Sequence, residues 1–268
     1  LSTDEGGKTY SKAFTLSVND ANDAPALENA IADQTIAEDS ALSFQFASDV
    51  FADVDAGDSF TYIATLADGS DLPSWLTFNI ATRTFSGTPL NVNVGAIEVK
   101  VTATDSGSAA ITDTFKLTVT NTNDTPTVAN AIADQTIAED SALSFQFASN
   151  VFSDVDSGDS FIYTASLSDG TNLPSWLTFN AQTLSFSGTP LNGDVGITAV
   201  KVTATDAGTA SVSETFNITV TNTADAPSSI SFSSNSVAEN NMGAVVGNII
   251  VEDDDNDVTS YTLASGGD

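Results

Sequence analysis

The stretch Ile97-Glu98-Val99-Lys100-Val101-Thr102-Ala103-Thr104 alternates apolar and polar residues without a break. Successive side chains of an extended chain point to opposite faces, so this pattern buries one face and wets the other. That is the signature of a strand in an antiparallel sheet with one face on a core. The same alternation runs through Phe14, Leu16 and Val18, through Phe115, Leu117 and Val119, and through Phe216, Ile218 and Val220. Further strands are predicted at 41–46, 60–66, 76–79 and 84–86. Turn residues punctuate them at Asp58, Asp68-Gly69, Gly87, Pro89 and Asp105-Ser106-Gly107. No helical period competes. About seven short strands in about 100 residues describe a Greek-key β-sandwich.

An internal repeat sets the domain period. Asn22-Asp23-Ala24-Pro25 returns as Asn123-Asp124-Thr125-Pro126 and as Ala224-Asp225-Ala226-Pro227, each time 101 residues on. Aligned at that offset, 26–126 and 127–227 are identical at 70 of 101 positions. The expected organisation is two full repeats, 25–125 and 126–226. Residues 1–24 are expected to be the closing segment of a preceding repeat, and 227–268 the opening part of a further one whose pattern has drifted. The junctions are brief and marked by Asn, Asp and Pro. The expected architecture is therefore all-β, with tandem sandwiches arranged end to end.

Composition narrows the chemistry. The 268 residues contain no Cys and no His, so disulfides, thiolate metal sites, His-ligated metals and Ser-His-Asp or Cys-His catalysis are excluded from this stretch. Thirty-six Asp and Glu against six Lys and Arg give a formal net charge of -30. That field repels phosphate, so neither nucleic acid nor an anionic membrane surface is an expected partner. No apolar run reaches about 18 residues, so no helical membrane insertion is expected in this segment. Hydrophobic residues still make up 41%, with 16 Phe, which is enough to build packed cores.

The carboxylates recur at fixed places. A Glu follows each junction: Glu38, Glu139 and Glu239. An Asp-x-Asp precedes the Phe-x-Tyr strand: Asp53/Asp55 and Asp154/Asp156. A lone Asp ends a long strand within Ala-Thr-Asp: Asp105 and Asp206. The junctions supply Asp20, Asn22 and Asp23, then Asn123 and Asp124, then Asp225. Asp and Asn are also ordinary turn residues, and an acidic surface suits a saline habitat without any specific site. All four signatures nevertheless flank predicted strand ends. Calcium takes six to eight hard oxygens in flexible geometry, whereas magnesium demands a stricter octahedron and keeps its waters, so Ca2+ is the expected ligand.

Taken together these motifs resemble cadherin repeats, whose pattern runs Glu, Asp-x-Asp, Ala-x-Asp and then a D-x-N-D linker. Asp20-Ala21-Asn22-Asp23 matches that linker, and Ala103-Thr104-Asp105 and Ala204-Thr205-Asp206 match Ala-x-Asp. The two full repeats are similar to the dystroglycan-type cadherin-like, Ig-like subgroup of bacterial surface proteins. That subgroup carries L-P-x-W-L-x-F followed by F-x-G-x-P, here Leu72 to Phe78 and Phe85 to Pro89. Ala238-Glu239-Asn240 and Glu252-Asp253-Asp254-Asp255 look like the start of a more ordinary cadherin repeat. The resemblance implies one site per junction. The first would use Asp20, Asn22, Asp23, Asp53, Asp55 and Asp105. The second would use Glu38, Asn123, Asp124, Asp154, Asp156 and Asp206. The third would use Glu139, Asp225, Asp253 and Asp255. There is no L-D-R-E, and Ala224 stands where the linker Asn is expected, so one or two ions per junction are expected rather than three.

The implied role is mechanical: a calcium-stiffened stalk or adhesion module of a large bacterial surface or secreted protein, extracellular, with like domains as possible homophilic partners. An enzyme is not expected, because paired acids such as Asp53 and Asp55 sit on a short repeat with no pocket-forming insertion. The alternative is a calcium-dependent module that binds cell-surface polysaccharide. It would need aromatic platforms, and Trp75, Tyr62 and Phe78 are the residues to inspect. Leu72-Pro73-Ser74-Trp75-Leu76 reads as core, so Trp75 and Trp176 are expected to anchor their sandwiches.

Overall fold

The computed structural model describes residues 1–17, 19, 21–55, 57, 59–234, 236, 242–243, 247–253 and 260. The chain forms two compact units, Leu1–Thr122 and Asn123–Asp268. In the first, a hairpin of β1 (Ser2–Thr3) and β2 (Thr9–Tyr10) precedes nine strands. These are β3 (Ala26–Leu27), β4 (Gln34–Ala37), β5 (Leu42–Gln45), β6 (Phe51–Ala52), β7 (Thr61–Leu66), β8 (Leu76–Asn79), β9 (Thr84–Gly87), β10 (Gly95–Thr104) and β11 (Ala110–Thr120). One sheet has the order β4-β11-β10-β7, the other β5-β9-β8, and β3 and β6 form a short ribbon. A 3-10 turn, Asn91–Asn93, leads from β9 to β10.

The predicted long strands are the hairpin β10–β11, in the register Val99↔Phe115 and Val101↔Asp113. Val99, Val101 and Ala103 are fully buried while their neighbours alternate outward, as the sequence pattern requires. Opposite them lies Phe85 of β9, 5.5 Å from the ring of Phe115 in an edge-on arrangement. Phe44 of β5 reaches the same ring at 5.7 Å. These contacts join the two sheets into a sandwich, and each buried Phe contributes about 1.5–3 kcal/mol of transfer free energy.

The second unit repeats the plan with β12 (Thr127–Val128), β13 (Gln135–Ala138), β14 (Leu143–Gln146), β15 (Phe152–Ser153), β16 (Ile162–Leu167), β17 (Leu177–Asn180), β18 (Ser185–Gly188), β19 (Gly196–Thr205) and β20 (Ser211–Thr221). Its sheets are ordered β13-β20-β19-β16 and β14-β18-β17, and the Phe186–Phe216 rings again meet at 5.5 Å. The turn Asn192–Asp194 links β18 to β19. A ribbon of β21 (Ser229–Phe232) and β22 (Ile249–Glu252) follows.

The motif L-P-x-W-L-x-F … F-x-G-x-P has a steric origin. A Cβ on Gly87 would lie 1.8 Å from the carbonyl oxygen of Trp75, and one on Gly188 would lie 1.7 Å from that of Trp176. The backbones of β8 and β9, and of β17 and β18, approach so closely there that only glycine fits.

Two expectations need correction. Residues 11–17 form no strand, and Phe14 and Leu16 are 85% and 79% exposed. Their counterparts in β11 pair with β10 and β4, whereas the hairpin register stops at Ser2↔Tyr10 and residues 11–17 pair with no strand among the described residues. Trp75 and Trp176 are not core centres. Each is half-buried and packs on the edge of its core. Full burial falls instead to Phe85, Phe115, Phe186 and Phe216.

Candidate metal centres

The second unit gathers its acids at one end of the sandwich. Asp154 and Asp156 lie in the loop between β15 and β16, where the Asp156 backbone N–H donates to Asp154 Oδ1 at 3.0 Å. This local turn holds the two carboxylates on one side. Asp159 comes back to them, so that one oxygen from each of Asp154, Asp156 and Asp159 lies within 4.8 Å of the others. Asp156 and Asp206 are buried. Asp154 Oδ2 and Asp159 Oδ2 are also shielded from solvent and have no hydrogen-bond partner among the described residues. Burial raises the Asp159 carboxyl above its ordinary range, and the charges of Asp154, Asp156 and Asp206 raise it further. A cation would reverse each of these penalties.

The junction segment is tied into the same group. The Asp124 N–H donates to Asp156 Oδ2 at 2.8 Å, and the Asn123 Nδ2 donates to Asp206 Oδ2 at 3.1 Å and to the Asp124 carbonyl at 3.0 Å. The other oxygen of Asp206 accepts from Ala210 N–H at 2.8 Å, closing the β19–β20 turn. Asn123 has room only because residue 208 is glycine, where an added Cβ would fall 1.9 Å from its Oδ1. Asn123 therefore acts as a positioning residue, while Asp124 is bound to Asp156 through its main chain and also brings a carboxylate oxygen within 4.8 Å of one of Asp156.

The first unit carries the same arrangement. Asp23 N–H donates to Asp55 Oδ2 at 2.8 Å, Asp55 N–H to Asp53 Oδ1 at 3.0 Å, and Asn22 Nδ2 to Asp105 Oδ2 at 3.2 Å. Asp53 Oδ2 is a buried oxygen without a partner among the described residues. Asp58, the counterpart of Asp159, and Asp20 lie outside the described residues.

The Glu after each junction also holds main chain. Glu38 and Glu139 are 1% and 2% exposed. Glu38 Oε1 accepts from Thr122 N–H and Glu139 Oε1 from Thr223 N–H, both at 2.8 Å, so each clamps the chain as it leaves its last strand. The second oxygen of each is buried with no partner among the described residues. Around Glu139 the acids are looser. Among the described residues, Glu139, Asp225 and Asp253 do not form a group as tight as Asp154, Asp156 and Asp159. Asp225 instead lines a cavity with Asp140, Leu191, Asn192 and Gly193. Glu239 and Asp255 lie outside the described residues.

Asp159 is the residue the sequence reading missed. Its signal is present as Asp154-Val155-Asp156-Ser157-Gly158-Asp159, three carboxylates in six residues, but the last reads as turn punctuation. The donors gathered here are all hard oxygens, a set that suits calcium rather than a transition metal.

Comparison with known proteins agrees with this architecture. The serine-rich adhesin for platelets of Staphylococcus aureus strain USA300 is 33% identical over 150 residues, spanning 56% of this chain and 6% of the adhesin. The adhesin of strain MRSA252 matches equally, over 10% of its length. The chain thus spans a small fraction of these relatives. The extracellular cadherin domains 1–5 of protocadherin gamma B2 superpose with a TM-score of 0.50 at 16% identity, covering 87% of this chain and 47% of that one. That likeness speaks for the fold alone. The profile described as "Putative Ig domain" matches residues 24–120 and again 125–221, so the chain belongs to that Ig-like domain family, in two tandem copies.

Proposed function

We propose that these Ig-like repeats are a calcium-binding, non-catalytic stalk or adhesion module of a large extracellular or cell-surface bacterial protein. The observation that carries this reading is the Asp154–Asp156–Asp159 group, with two shielded oxygens that have no hydrogen-bond partner among the described residues, in a chain of net charge -30. A bound Ca2+ would draw on Asp154, Asp156 and Asp159, with Asp206 beside them. It would thereby fasten the junction residues Asn123 and Asp124 to the sandwich that follows. Asp53, Asp55 and Asp105 would serve Asn22 and Asp23 in the same way. Without the ion the carboxylates repel and the junction segment loosens. The likeness to an adhesin favours a mechanical or adhesive role for the parent protein.

The polysaccharide reading is less well supported. Tyr62, Trp75 and Phe78 all pack against the core instead of forming a solvent-facing platform.

Thermal unfolding in EDTA and across a calcium titration, with magnesium and sodium as controls, tests the proposal. A site filled at 100 times its dissociation constant adds about 2.7 kcal/mol. The stabilisation is expected to saturate, to be specific for calcium, and to lose its second-unit part in Asp154→Ala. Equal responses to calcium and to bulk salt would overturn the reading.

A further inference from the structure

The turns that follow β9 and β18 differ in one chemically decisive residue: Val92 of the first is Gly193 in the second. Asn192-Gly193 is the sole Asn-Gly pair in the 268 residues. The side-chain carbonyl carbon of an Asn can close a five-membered ring with the next residue's backbone nitrogen. A β-branched side chain on that next residue shields the nitrogen, and glycine leaves it open. A Cβ built on Gly193 would meet nothing within 4 Å, and the residue is exposed, so water has access.

We propose that Asn192 is a self-modifying site, converted by water from a neutral amide to a carboxylate. The Gly193 nitrogen attacks the Asn192 side-chain carbonyl carbon and gives up its proton. The C–N bond of the amide breaks and ammonia leaves, forming a cyclic imide. Water then adds to one of the two imide carbonyls. Cleavage on the side-chain carbonyl restores the main chain with an aspartyl residue at 192. Cleavage on the main-chain carbonyl leaves an isoaspartyl residue, one carbon longer in the backbone.

Either product places a new negative charge in the cavity of about 390 Å³ that Asn192 lines with Asp140 and Asp225. The cavity then carries three carboxylates where two were translated. The conversion itself does not depend on the calcium reading, and the experiment is run in EDTA so that the two stand or fall separately.

The test is to age the protein in warm, mildly alkaline buffer and follow each Asn by peptide mass spectrometry, with isoaspartyl methyltransferase labelling for the second product. Asn192 is expected to lose its amide at least about tenfold faster than Asn91, a barrier difference of about 1.4 kcal/mol. Equal rates at the two positions would overturn the proposal. Exchanging the neighbours is the second arm. Gly193→Val should protect Asn192 and Val92→Gly should expose Asn91. Gly193 has no left-handed φ, so valine is accommodated there without backbone strain. If Asn192 deamidates as fast in Gly193→Val as in the parent chain, the assigned chemistry is wrong.

Discussion

Replacing Gly208 by Ala is a small change with a long reach. The added methyl would lie 1.9 Å from Asn123 Oδ1 and 2.1 Å from its Cγ, so the Asn123 side chain must leave. Its bond to Asp206 Oδ2 leaves with it, and Asp206 is 3% exposed. A hydrogen bond to a charged group is worth about 1.5–3 kcal/mol. The Gly→Ala change recovers roughly 0.4–1 kcal/mol by restricting the unfolded chain, because Gly208 has no left-handed φ. The expected net cost is about 1–2 kcal/mol, or roughly 3–6 °C in the midpoint of the second unit. The assay is a double-mutant cycle by urea unfolding in EDTA, with Asn123→Ala as the second substitution. Once Asn123 is truncated the methyl has room, so Gly208→Ala should cost nothing in that background, or stabilise slightly. Additive costs would refute the reasoning, since they would mean the methyl acts elsewhere than on Asn123.

Other substitutions probe the remaining features. Asp159→Asn is expected to raise the second unit's melting temperature in EDTA at neutral pH and to shrink the calcium-dependent rise, a reversal of sign that a purely structural Asp would not give. Because the Asp159 carboxyl is raised above its unfolded value, its ionised form costs stability. In EDTA that cost is relieved as pH falls through the raised value, with no further gain below the unfolded one, and Asp159→Asn should flatten this pH profile. Gly188→Ala drives a methyl to within 1.7 Å of the Trp176 carbonyl and should cost at least the upper end of the roughly 1–3 kcal/mol seen for overpacking, read as loss of the cooperative transition or a large fall in midpoint. Phe186→Ala should cost about 3–5 kcal/mol by the same measurement, since the ring is fully buried between the sheets.

The sequence was most readable where structure is local. Alternation over 97–104 located β10 within two residues of its start, because one face of that strand is wholly core. The four residues of β4 were not read as a strand, since their pairing partner in β11 lies more than 80 positions away and four residues carry too little period. Phe14 and Leu16 showed the opposite limit, while Val18 lies outside the described residues. Alternation records a capacity to pair, and pairing also needs a neighbour. At the acidic group, Asp154 and Asp156 were legible as an i, i+2 pair. The return of Asp159 to the same point depends on the loop's path, and the glycine at 208 acquires meaning only once Asn123 is seen to occupy its space.

The parallel alignment of β4 with β11 in the register Gln34↔Leu117, repeated as Gln135↔Ile218 in the second unit, has a consequence under load. When force pulls the two ends of a unit apart, parallel neighbours slide along one another, and the hydrogen bonds between them are strained in shear. Antiparallel neighbours joined by a hairpin would peel open one bond after another. Each unit therefore sets a short shear clamp between an early strand and its last long strand, in the path of tension carried along the chain.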